Sequence, residues 1–85
     1  MQREEIIKKI KKAASETIPS MDFENIDMNT NFRKDLGMDS LEGMSFIIAI
    51  EGEFGIAIPD FKIKDIQTVE NTISIIEECM QEINL

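Results

Sequence analysis

The sequence predicts an all-α fold, a small bundle of three main helices plus one short helix, with a long first loop. Two observations carry this. Three separate segments repeat apolar residues at helical spacing: Ile6, Ile7, Ile10, Ala13, Ala14 and Ile18; Phe46, Ile47, Ile50 and Phe54; and Val69, Ile73, Ile76, Met80 and Ile83. Between them stand the breakers Pro19, Gly55 and Pro59. The 85 residues suit one domain, 1–85, with no room for a second core and a modest margin of stability.

The first helix is expected from Arg3 to Ile18, with Lys8, Lys9, Lys11 and Lys12 off its apolar stripe. A basic amphipathic helix can lie on a membrane. The acids Glu4, Glu5 and Glu16 and the small alanines instead favour a bundle helix with one solvated face. Pro19 ends it, because proline has no backbone N–H to give and restricts the residue before it. The connection Ser20 to Asp39 is long for a compact domain, so its own side chains Phe23, Ile26, Phe32 and Leu36 must pin it. Asp27, Asn29 and Asn31 imitate the start of a calcium loop. The imitation fails, since Phe32 replaces the glycine of the sharp turn and Met38 the closing glutamate.

The second helix is expected from Ser40 to about Phe54, and it is apolar on two sides. Gly43, Phe46, Ile47, Ile50 and Phe54 form the larger stripe, the better core face. That leaves Leu41, Met44 and Ile48 at least partly exposed, as a partner surface would be. A central helix burying both stripes is the alternative. Gly55 provides the exit, Ile56 and Ile58 run inward, and a short third helix over Phe61 to Ile66 must be docked by Ile63 and Ile66. Thr68 caps the fourth helix, whose stripe packs on the first two.

Composition excludes several kinds of chemistry. Seventeen acids against nine bases give a net charge of −8, which disfavours nucleic acid and anionic lipid as partners. From Ala13 onward there are fifteen acids and four bases, so mutual repulsion is expected, with relief by divalent cations. Without histidine, and with Cys79 alone, one chain builds no Cys-His pair, metal centre or disulfide. Cys79 reads as a reduced, partly packed thiol on the last helix. No general base or phosphate-cradling glycine loop is present, so no catalytic residue and no bound metal are expected and the chain is not read as an enzyme. No signal peptide or membrane-length apolar run is found, which points to a cytoplasmic protein without stable membrane binding. A plastid or mitochondrial chain after leader cleavage would read the same.

The stretch Asp35-Leu36-Gly37-Met38-Asp39-Ser40-Leu41-Glu42 organises the rest. Asp39 followed three residues later by Glu42, ahead of an apolar run, is the pattern of a reciprocal helix cap. Asp39 is then the N-cap and Ser40 the first helical residue, where free backbone N–H groups and the helix dipole favour an anion attached to the hydroxyl. A serine that only assists the cap is the plainer reading.

The octet resembles the prosthetic-group attachment motif of acyl carrier proteins, with Asp39-Ser40-Leu41 after a glycine-containing turn. The similarity extends over nearly the whole chain, through Asn31-Phe32, Glu51, Glu53-Phe54, Ile58-Pro59-Asp60 and Thr68-Val69. It implies that Ser40 receives 4'-phosphopantetheine from coenzyme A by the action of a separate transferase. The terminal thiol then holds an acyl group for fatty-acid, polyketide or related lipid biosynthesis. It also implies docking on synthetases, ketosynthases or acyltransferases through Leu41, Glu42, Met44, Ile48, Glu51 and Asp60, a helical interior able to shelter the acyl chain, and a monomer.

Two other readings stay open: a peptidyl or aminoacyl carrier, whose double glycine is missing here, and an unmodified acidic adaptor. Departures from the family pattern suggest a specialised carrier. Ser45 and Gly52 stand where acids are usual, and Lys62 and Lys64 lie in a segment that is usually acidic. Gly43 and Gly52, each costing about 1 kcal/mol inside a helix, suggest a packing or flexibility requirement.

Overall fold

The computed structural model describes residues 2–21 and 23–83, with side chains through residue 81. Four helices follow one another: α1 (Arg3–Thr17), α2 (Ser40–Phe54), α3 (Asp60–Ile63) and α4 (Val69–Ile83). The all-α prediction holds, and helix α1 packs against both α2 and α4.

Helix α1 spends its apolar face on the core. Ile6, Ile10, Ala13 and Ala14 are buried, which leaves no continuous apolar stripe to lie on a membrane. The helix stops at Thr17, and the N–H of Ile18 still donates to the Ala14 carbonyl just before Pro19. Two cations tie α1 to the far end of α2. Lys12 pairs with Glu53 at 3.1 Å, and the Lys9 ammonium lies 5.4 Å from the centre of the Phe54 ring. The hydrogen bond and charge of Glu53, with the nearby Glu16, hold the Lys12 pKa above its ordinary 10.5. The lysine is thus charged and paired throughout the neutral range, and the link is lost only as pH rises through that raised value.

Helix α4 is buried over a wider face than its stripe predicts. Val69, Ile73 and Ile76 are in the core, with Met80 packed at its edge, but Thr72, Ile75 and Cys79 are buried as well. Thr72 is tolerated because its hydroxyl donates to the Thr68 carbonyl at 2.8 Å. Cys79 is fully packed, not partly, behaving as a small apolar residue. The core role expected of Ile83 lies outside the described side chains. Thr68 caps α4 as expected, its hydroxyl accepting from the N–H of Asn71 at 3.1 Å while the Asn71 side chain accepts from the N–H of Thr68 at 3.3 Å.

The long loop is held by more than its apolar side chains. Phe23 and Phe32 are buried and Ile26 and Leu36 half-buried, as the length of the loop demands. In addition, Asn31 forms a single antiparallel bridge with Thr68. Around it the N–H of Phe32 donates to the Gln67 carbonyl, that of Val69 to Thr30 and that of Glu70 to Met28. The calcium-like stretch is occupied with itself, since the Asp27 carboxylate accepts from the N–H of Asn29 at 2.8 Å. Helix α3 is shorter than expected, starting at Asp60 after Pro59 and ending at Ile63. The chain then leaves through two turns, which bring the Gln67 carbonyl to the N–H of Phe32. Ile63 and Ile66 dock this segment on the core.

Candidate functional site

The site is built where the loop turns into α2. Phe32 is buried against Phe46, their ring centres 4.9 Å apart. Its N–H is taken by Gln67 and its carbonyl by the N–H of Met38, so the chain between Arg33 and Gly37 must close as a compact turn. Gly37 completes it at φ 71°, a left-handed conformation that glycine adopts without penalty. Asn31 and Asp35 brace the turn. The side-chain Oδ1 of Asn31 accepts from the N–H groups of Arg33 and Lys34, and the Asp35 carboxylate accepts from the N–H of Asn31 at 2.8 Å.

The expected reciprocal cap is present. Asp39 accepts from the N–H of Glu42 at 2.7 Å, and Glu42 accepts from the N–H of Asp39 at 3.0 Å. Ser40 is the first residue of α2 and is exposed. Its Oγ accepts a hydrogen bond from the guanidinium of Arg33 at 3.0 Å. Sequence reasoning missed Arg33. The one available signal was the pair Arg33-Lys34, half of the four cations that follow Ala13.

Beside Ser40 opens a groove of about 510 Å³ between α2 and the α3 segment, floored by Phe32, Met38, Phe46, Ile47, Ile63 and Ile66. Arg33, Lys34 and Lys64 also line it. On the outer face of α2, Leu41 is 78%, Met44 50% and Ile48 64% exposed, so the helix does not bury both of its apolar stripes. Phe61, on α3, is 69% exposed and carried no such signal in the sequence. The acids divide. Asp60 is exposed, but Glu42 has one oxygen in the cap, and half-buried Glu51 accepts from the N–H of Ile58 at 2.9 Å. Glu51 therefore fastens the exit of α2 and is not a free surface charge. Among the described residues no three His, Cys, Asp or Glu side chains are grouped to hold a metal.

A small helical bundle with an exposed, capped serine at the mouth of an apolar groove has the form of a carrier for a serine-linked group. Comparison with known proteins agrees: the family model described as a phosphopantetheine attachment site matches residues 8–76. The chain is 35% identical over 78 residues to the acyl carrier protein of Petrotoga mobilis, covering 92% of this chain and 91% of that one. It is 40% identical over 77 residues to that of Lactobacillus acidophilus, covering 91% and 95%. The crystal structure of the acyl carrier protein of Thermotoga maritima superposes with a TM-score of 0.84 at 34% identity, covering 98% of this chain and 95% of that one. The chain belongs to the acyl carrier protein family, whose members are carriers bearing 4'-phosphopantetheine and working with a phosphopantetheinyl transferase and biosynthetic enzymes. The residues present fit such a group: an exposed hydroxyl, a guanidinium on its oxygen, and an apolar groove alongside.

Proposed function

We propose that Ser40 carries the phosphopantetheine arm and that the protein presents acyl groups, held on that arm as thioesters, to the enzymes of fatty-acid, polyketide or related lipid biosynthesis. The observation that carries this is Ser40 itself, exposed at the first position of a helix whose cap is completed by Asp39 and Glu42. The arm supplies the thiol on which the acyl group is held. The cap fixes the serine in place, and the end of α2 favours the negative charge of the attached phosphate. Tethering raises the local concentration of the acyl group at a docked enzyme without tight binding, so brief docking suffices.

Docking falls to the exposed face of Leu41, Met44 and Ile48, with Glu42 on the same helix and the exposed Asp60 of α3 supplying negative charge. The groove suits an alkyl chain, since its floor is isoleucine, phenylalanine and methionine. We further read the chain as a specialised carrier, a monomer working in the cytoplasm. Ser45 and Gly52 are exposed on α2 without charge, and Lys64 adds a positive one near the groove. The test of the attachment is intact-mass analysis after incubation with coenzyme A and a broad-specificity transferase. Wild type gains one arm and Ser40→Ala gains none; an adduct kept by Ser40→Ala overturns the assignment.

A further inference from the structure

We propose that Arg33 is a phosphate-binding residue: its guanidinium holds the phosphodiester that joins the arm to Ser40 and turns the root of the arm toward the groove between α2 and α3. This rests on the attachment at Ser40. The Oγ that Arg33 contacts at 3.0 Å is the atom that becomes the ester oxygen, so the phosphorus lies one bond and the non-bridging phosphate oxygens two bonds beyond it. A guanidinium has five N–H donors in a rigid fork, and a single hydrogen bond to Oγ leaves others for a second oxygen.

Among the described residues Arg33 forms no ion pair. The nearest acids in sequence are engaged elsewhere, Asp35 with the N–H of Asn31, Asp39 with that of Glu42, and Glu42 with that of Asp39. The turn behind Arg33 is braced by Asn31 and by the buried Phe32, so its backbone is fixed even though its side chain is exposed. The surroundings add to this. Of the four cations after Ala13, three line this one groove, Arg33, Lys34 and Lys64. In a chain of net charge −8 those three cations offset the carboxylates of Asp39 and Glu42 beside the serine. Charge-assisted, forked contacts of this kind are the strong ones for phosphate.

The experiment is phosphorus NMR of the arm-bearing protein, compared among wild type, Arg33→Ala, Arg33→Lys and Lys34→Ala, with intact mass recorded first. Arg33→Ala is expected to shift the phosphodiester resonance and narrow it as the phosphate regains independent motion. Arg33→Lys should retain part of the wild-type shift. Lys34→Ala, which removes the same charge one residue away, should stay near wild type. Added salt should move wild type toward Arg33→Ala and leave that variant in place. An unchanged resonance in Arg33→Ala overturns the proposal, as does an equal change in Lys34→Ala, which would mean a general field and no clamp. Absence of the arm on Ser40 is a different failure, seen in the mass, and overturns the attachment itself.

Discussion

Gly52 lies inside α2, and a methyl group added to it would meet nothing within 4 Å. The same is true of Gly43, and neither has positive φ, so no close packing accounts for either glycine. Gly52→Ala should therefore raise stability by about 1 kcal/mol, the ordinary helix preference for alanine. Gly55 differs, since it ends α2 at φ 63° and its N–H closes on the Glu51 carbonyl. There Gly55→Ala should cost about 1 kcal/mol through backbone strain. Thermal midpoints of the two variants check the pair, and opposite signs are the expected result. At this scale the legible residues were those with local reasons. Asp39, Ser40 and Glu42 announce their cap within four positions, and Gly55 announces a helix end. Arg33 and Phe61 could not be read, because their importance depends on where a loop and a four-residue helix carry them.

Helix α3 shows what a short element can and cannot signal. Its existence follows from Pro59 and the apolar Ile63 and Ile66, yet it ends at Ile63, and beyond that end the Gln67 carbonyl accepts from the N–H of the distant Phe32. Its charges also need the fold to be understood. Lys62 and Lys64 read alike in sequence, but the Lys62 ammonium sits 2.8 Å from Glu78 of α4. Lys64 forms no ion pair among the described residues and is the one left facing the groove. If the proposed specialisation holds, Lys64 and the uncharged Ser45 of α2 are the residues that would match a basic enzyme surface poorly. Acyl transfer to one basic-surfaced ketosynthase is expected to be slow for wild type, and Ser45→Glu with Lys64→Glu should quicken it about tenfold at low salt and little at high salt. A wild type as fast as a general fatty-acid carrier would end the argument for specialisation.

The whole molecule carries a surplus of eight acids over its bases. The sequence led us to expect relief of repulsion by divalent cations, but among the described residues no three carboxylates are grouped to bind one. Magnesium or calcium should thus raise the thermal midpoint only as much as sodium chloride of equal ionic strength; a clearly larger shift would reveal a site formed in solution. Among the described residues no helix is long and apolar enough to cross a membrane. The bridge between Asn31 and Thr68 bears on a different matter, the order of events during synthesis. It joins stretches far apart in the chain, and non-local closures come late because the intervening loop must first be gathered in. The turn that aims Arg33 at Ser40 hangs from that seam through Phe32 and Gln67. On the ribosome the serine emerges well before Gln67 and Thr68, so the motif is translated before the residues that pin its turn from a distance.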